Sequence, residues 1–163
     1  MEKRFDELYT ERDRQVMKIA EDTLDPRIGR VEEIILFAQE AGIKKTGIAN
    51  CISFEKEAVS PERLLTDKGF RVSRANCKLG RMPLMDILPG YDGISCNPAG
   101  QAQLMNEDHT ELNLVMGLCL GHDMILNAKS NGLATTLIVK DRKFKHNPLE
   151  KFKTITYGNE SNL

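Results

Sequence analysis

Four cysteines are the residues of this 163-residue chain best suited to chemistry. Cys51, Cys77 and Cys119 each close a hydrophobic, strand-like run: Thr46-Gly-Ile-Ala-Asn-Cys51, Phe70-Arg-Val-Ser-Arg-Ala-Asn-Cys77 and Leu112-Asn-Leu-Val-Met-Gly-Leu-Cys119. Cys96 follows Tyr91-Asp-Gly-Ile-Ser and stands directly before Asn97-Pro98, a helix-opening pair. The cysteines lie 26, 19 and 23 positions apart, with no Cys-x-x-Cys among them. That spacing excludes a zinc knuckle and a ferredoxin-like run, so any metal site must be assembled by tertiary folding. Four thiolates around one centre suit tetrahedral zinc or an iron–sulfur cluster. A cluster is larger than a single ion and better matches thiols fanned over several strand ends. The expectation is an iron–sulfur cluster held by Cys51, Cys77, Cys96 and Cys119, with zinc as the alternative.

Two other chemistries compete. Gly117-Leu-Cys119-Leu-Gly121-His122-Asp123 resembles the nucleophile elbow of class I glutamine amidotransferases, in which glycines permit a sharp strand-to-helix turn. A helix beginning near Gly121 would lower the thiol pKa and offer N–H groups to an oxyanion. This reading makes Cys119 the nucleophile, with His122 or His146 as base, acting on an amide or thioester. That family has glutamine where Asp123 stands and uses a distant His-x-Glu pair, whereas His146 is only 27 positions on and precedes Asn147-Pro148. The third chemistry is non-catalytic: Lys140 and Arg142, in Lys140-Asp-Arg-Lys143, could hold a small anionic molecule or balance a cluster's negative charge. Gln101, one turn into the helix after Cys96, could also reach the site, although a surface amide or a solvated charge run is the commoner role for such residues. His109, in a polar turn, is expected to face solvent.

Periodicity supplies the elements that must position these groups. The charged N-terminal segment 1–25 reads as a helical extension with Val16, Ile19, Ala20 and Leu24 on one stripe, ended by Asp25-Pro26. A helix over about 30–41 carries Val31, Ile34, Ile35 and Ala38, with Gly42 as its C-terminal cap. Strands at 45–51, 70–77, 112–119 and 134–140 then alternate with helices at 54–68, 98–107 and 122–131, while 78–95 reads as a long connection with a short extended piece at 91–95. Such alternation predicts right-handed crossovers and a three-layer, Rossmann-like α/β fold: an open parallel sheet of four to five strands with helices on both faces. The 45–51 strand is expected at the centre, beside those ending at Cys77 and Cys119. In such sheets ligands sit at the carboxyl ends of the strands, the edge to which all four thiols are delivered.

The chain length suits a single domain that buries roughly 68–70% of its unfolded surface, so neither disulfide nor metal is needed merely to hold it together. The tail from 156 to 163 is polar and expected to be flexible. A net charge of −1 provides no whole-chain attraction to nucleic acid or an anionic membrane. No run approaches the ~18 apolar residues of a membrane span, and the start carries no apolar signal region. These features point to the cytoplasm, where free thiols, metal ligation or catalysis are favoured over disulfides. The amphipathic N-terminal helix would serve packing or a homodimer contact.

Several uncommon blocks occur in a familiar order. Cys96-Asn-Pro-Ala-Gly-Gln-Ala102, Asn106, Thr110, Leu112-Asn113, Gly117-Leu-Cys-Leu-Gly-His-Asp123, Thr135-Thr-Leu-Ile-Val-Lys-Asp-Arg142 and His146-Asn-Pro148 resemble a prokaryotic family of small cysteine-containing proteins of unknown function, usually labelled metal-binding proteins. Arg30-Val-Glu-Glu-Ile-Ile35, Gly47-Ile-Ala-Asn-Cys51 and Cys77-Lys-x-Gly80 extend the similarity, which covers about residues 28–150. The resemblance implies metal binding without an assigned reaction. Its cysteines correspond to Cys51, Cys77, Cys96 and Cys119, and its histidines to His122 and His146. Many members carry a cysteine-rich N-terminal segment where this sequence has its charged helix.

Overall fold

A computed structural model describes residues 4–157, with side chains described through residue 153. The chain divides into two compact units, residues 1–44 and residues 45–163.

The first unit holds two helices, α1 (Glu11–Asp22) and α2 (Arg30–Glu40). The expected N-terminal helix is shorter than its charge pattern suggests, because Thr10 sets its start. The Thr10 hydroxyl accepts from the Asp13 N–H and the Asp13 carboxylate accepts from the Thr10 N–H, a reciprocal cap that satisfies two orphan donors. Leu24, assigned to the apolar stripe, lies beyond the C-terminal cap at Thr23 and is exposed. In α2 the stripe holds: Ile34, Ile35 and Ala38 are buried.

The second unit is the α/β body. Its strands are β1 (Lys45–Asn50), β2 (Arg71–Asn76), β3 (Leu112–Met116) and β4 (Leu133–Ile138). They form one parallel sheet in the order β2-β1-β3-β4, the Rossmann-like open arrangement expected from the alternating pattern. The helices between them are α3 (Val59–Asp67), α4 (Pro98–Glu107) and α5 (Leu120–Lys129), and α6 (Leu149–Tyr157) follows β4. The chain moves from β1 outward to β2, then back across β1 to β3 and on to β4. Right-handed crossovers therefore place α3 on one face and α4 and α5 on the other. In accord, α4 packs along α5. Inner strands β1 and β3 are buried almost throughout, as parallel strands covered on both faces should be.

Several boundaries differ from the sequence pattern, among them the end of the last strand at Ile138 rather than Lys140. The piece at 91–95 is not a fifth strand: Ile94 makes one isolated antiparallel bridge to Pro83, and the sheet stays four-stranded. The β3 strand stops at Met116 rather than Cys119, because Gly117 turns the chain with φ +62°. A Cβ there would also stand 2.1 Å from the Phe54 ring, so glycine is needed twice over. After β1 the chain makes a single 3₁₀ turn at Ile52–Phe54, and α3 begins only at Val59. Residues 156 and 157 of the expected tail belong to α6, and the remainder of that tail lies outside the described residues.

Candidate functional site

Parallel register builds the core of the site. Asn50 and Asn76 are the paired last residues of β1 and β2, so the next residue on each strand, Cys51 and Cys77, emerges side by side. The Cys77 N–H continues the ladder by donating to the Asn50 carbonyl at 2.8 Å. The two sulfurs stand 4.0 Å apart. Both residues are buried, with Cys51 5% and Cys77 1% exposed.

Cys96 arrives from a loop, and main-chain bonds bring it in. The Asn97 N–H donates to the Cys77 carbonyl at 2.7 Å, and the Ser95 N–H donates to Met82 O at 2.8 Å. The Asn97 side chain accepts from the Gly100 N–H, capping α4 with Pro98 in its first turn, as the Asn-Pro pair implied. The Cys96 sulfur ends 3.6 Å from that of Cys77. Three thiols are thus in contact, with Cys77 between the other two.

Beneath them lies Gln101, fully buried rather than on the surface. Its amide nitrogen donates to Ala75 O at 2.7 Å and Asn50 O at 3.2 Å, clamping the ends of β2 and β1 together. Its Oε1 and the buried Asn50 Oδ1 have no partner among the described residues. The Asn50 amide donates to Glu55 at 2.9 Å, and Arg74 bridges Glu55 and Glu62 at 2.7 Å each. The Asn50 amide and the Arg74 guanidinium hold the Glu55 carboxyl below the usual carboxylate range. This network fixes the turn after Cys51. It escaped the sequence reading because Glu55, Glu62 and Arg74 meet only after folding and form no motif.

Electrostatics separate the thiols. Burial pushes the Cys51 thiol up, but the Lys140 ammonium, 2.7 Å from its sulfur, and the Ser53 N–H and hydroxyl, at 3.5 and 3.6 Å, bring it down to about 7. Burial dominates at Cys77 and the neighbouring sulfurs of Cys96 and Cys51 add to it; against the Ile52 N–H at 3.3 Å, they leave Cys77 pushed up to about 12. Cys51 is the thiol poised to ionise, and Cys77 is held neutral. Lys140 also lies 5.9 Å from the centre of the Phe54 ring, whose other neighbour is the His146 ring in an edge contact at 4.7 Å. His146 Nδ1 accepts from the Asp141 N–H at 3.1 Å, which leaves Nε2 to carry the proton of the neutral ring.

Cys119 stands apart from the trio. It is the N-cap of α5, three residues beyond β3, half-buried, and its thiol accepts no N–H from that helix. Its sulfur accepts instead from the Arg142 guanidinium at 3.5 Å. His122 is in the first turn of α5, and its ring makes no hydrogen bond to Cys119 or to any other described residue; His109 is exposed in a turn with φ +55°. Lys140 and Arg142 therefore do reach the thiols, one on Cys51 and one on Cys119.

All four cysteines are free thiols. Among the described residues, no group of three or more His, Cys, Asp or Glu side chains is arranged to hold a metal ion. Thiols are the donor type that a thiophilic metal takes, but these three are not arranged as a ligand set. Two thiolates on tetrahedral zinc at about 2.3 Å from the metal stand ~3.8 Å apart, and the two contacts here are 3.6 and 4.0 Å. The trio lacks convergence: its contacts run in a chain through Cys77, so Cys51 and Cys96 must rotate toward a common centre. No described helix is long and apolar enough to cross a membrane.

No solved structure matches the chain. An uncharacterized protein of Methanocaldococcus jannaschii is 42% identical over 123 residues, which cover 72% of this chain and 63% of that relative's length. A family model described as "Protein of unknown function (DUF1847)" matches residues 1–137, a span that includes the whole site except Lys140, Arg142 and His146. The chain belongs to that family.

Proposed function

We propose that this protein binds a thiophilic metal centre at the carboxyl edge of its sheet, an iron–sulfur cluster in the first instance and zinc as the alternative. The observation that carries this reading is the contact of three sulfurs, Cys51, Cys77 and Cys96, gathered from two strand ends and a loop. A thiol trio used only for packing would not need a lysine ammonium 2.7 Å from one member's sulfur, where it favours the thiolate that a metal takes as ligand. Metal ligation accounts for both. Three or four thiolates outweigh the charge of a dication or a cluster, and Lys140 with Arg142 offsets the surplus. The same cations would favour a small anionic molecule beside the centre. When bound, the metal supplies Lewis-acid or electron-transfer chemistry. Four free thiols suit a reducing compartment such as the cytoplasm.

The amidotransferase-like alternative has less behind it. Cys119 has a cation and a helix N-terminus beside it, but neither His122 nor His146 is hydrogen-bonded to its sulfur, and His146 packs on Phe54 instead.

Anaerobic purification followed by iron, sulfide and zinc analysis tests the proposal. The expected result is near-stoichiometric metal, with broad absorption at about 400 nm if the metal is thiolate-bound iron. A folded chain that takes up neither iron nor zinc overturns it.

A further inference from the structure

We infer that Cys77 and Cys96 form a thiol–disulfide exchange pair that reduces a small-molecule disulfide, Cys96 being the thiol that meets it and Cys77 the thiol that closes the internal disulfide. The inference goes beyond the metal reading and stands on sulfur and backbone geometry alone.

Three observations select this pair. The Cys96 and Cys77 sulfurs make the shorter of the trio's two contacts, 3.6 Å against 4.0 Å for Cys77 and Cys51. Their backbones are tied beside the sulfurs, since the Asn97 N–H donates to the Cys77 carbonyl at 2.7 Å. Closing the gap to the about 2.05 Å of a disulfide therefore asks for side-chain rotation at Cys96, on a loop, rather than movement of a strand. Access separates the thiols as well: Cys96 is half-buried, whereas Cys77 is 1% and Cys51 5% exposed. The Cys51 sulfur is also engaged by the Lys140 ammonium at 2.7 Å and the Ser53 N–H at 3.5 Å. Cys119 is half-buried too, but its sulfur meets a guanidinium, not a thiol. A thiol within reach of solvent, with a second thiol against it, is the arrangement that exchange requires.

The chemistry takes two steps. The Cys96 sulfur attacks one sulfur of a disulfide RSSR: a Cys96–S–S–R bond forms, the original disulfide bond breaks, and the displaced sulfur leaves with the Cys96 proton as RSH. The Cys77 sulfur then attacks the Cys96 sulfur, the Cys77–Cys96 bond forms, and the second RSH leaves with the Cys77 proton. Two protein thiols are oxidised and RSSR is reduced to two RSH. Contact makes the second step intramolecular, which compensates for the poor nucleophile that a buried neutral thiol is. Excess RSH reverses both steps and restores the dithiol. A half-buried sulfur admits a small disulfide more readily than one set in a folded protein surface. Closure takes two of the three contacting sulfurs away from a metal, so the disulfide and a bound metal exclude one another.

The test incubates the full chain with glutathione disulfide in a chelating buffer, quenches with acid, alkylates in denaturant and maps the peptides by mass. The expected product is a single Cys77–Cys96 disulfide, with Cys51 and Cys119 still alkylated and the dithiol regenerated by excess glutathione. C77S is expected to stop at a stable glutathione adduct on Cys96, and C96S to consume glutathione disulfide at least about tenfold more slowly than wild type. Four alkylated thiols in the wild-type chain, or a disulfide that joins Cys51 or Cys119, overturn the pair, as does a C96S chain that reacts at the wild-type rate. Mapping the wild-type chain needs no variant, so a substitution that fails to fold does not decide the matter. Chelation keeps the two readings apart: a chain that binds no metal yet forms the Cys77–Cys96 disulfide supports this inference alone, and metal uptake by a chain that forms no such disulfide overturns it alone.

Discussion

The two halves of the sheet's carboxyl edge have the same topology and opposite character. At the β1–β2 half, cysteines follow the last paired residues directly, and their sulfurs are buried among other sulfurs. At the β3–β4 half, Gly117 intervenes, the cysteine falls on a helix cap, and its sulfur meets a guanidinium near solvent. Equivalent positions in a parallel sheet thus deliver different chemistry, and the difference arises in the first residues after each strand. Where the ladder continues through the cysteine, register fixes its neighbours; where a left-handed residue ends the ladder, the cysteine goes to whatever the new direction offers.

The largest effect should come from removing the device that separates the halves. Gly117→Ala places a Cβ against the Phe54 ring at a backbone angle that alanine adopts only with strain. A loss of about 2–4 kcal/mol is expected, read from the urea midpoint at constant slope. A loss below about 1 kcal/mol would mean that Phe54 yields easily and that the turn is not what keeps Cys119 away. Next comes Gln101→Leu, which removes both bonds clamping β1 to β2 beneath the trio. It should cost about 1–3 kcal/mol, because two carbonyls lose a buried donor. Asn50 O keeps its bond from Cys77, so the lower part of that range is favoured. An unchanged midpoint would show that register alone holds the two cysteines together.

How much of this could be read beforehand follows the same division. The pairing of Cys51 with Cys77 was legible, because alternation of strands and helices predicts neighbouring parallel strands and the two runs end alike. Cys96 could be assigned to the edge but not to a partner, since the bond that pins it, Asn97 N–H to Cys77 O, spans a loop whose path no periodicity encodes. Cys119 was carried too far along its strand: hydrophobic continuity through Leu118 masked the turn at Gly117, although the glycine itself was the available signal. Gln101 could be named as able to reach the site, but not in the buried clamping role it has. An amide in a helix's first turn reads as surface, and only the fold reveals that the turn lies over two strand ends needing a donor.

The Lys140 contact sharpens the comparison by pH. In the metal-free chain, Cys51 should react with a maleimide with a midpoint of about 7, and Cys77 should stay unreactive until far higher pH. Lys140→Met removes the ammonium and leaves the burial, so the Cys51 midpoint should move above the ordinary thiol value. Stability follows by linkage. The depressed Cys51 thiol contributes stability that is present above the unfolded thiol value of about 8.5 and lost as pH falls toward about 7. The raised Cys77 thiol acts oppositely: above about 8.5 the unfolded state ionises and the folded state does not, so stability declines toward pH 12. Together they place a maximum in the thiol contribution at about pH 8–9, and Lys140→Met should erase its rising limb while leaving the fall. Urea titrations of both proteins across this range check it.

Arg142→Ala should have the smallest effect, and its smallness is the point. The guanidinium is exposed and makes one long contact, 3.5 Å, to a half-buried sulfur. Solvent screens that interaction, so the stability change should stay below about 0.5 kcal/mol. Maleimide labelling at Cys119 should change by no more than a few-fold near neutral pH, while the Cys51 profile stays where it was. A shift at Cys51, or loss of more than about 1 kcal/mol, would mean that the two halves of the edge share one electrostatic unit. In that case Cys119 would have to be counted with the other three sulfurs, because a screened surface contact cannot act on a buried thiol unless the groups between them are already coupled.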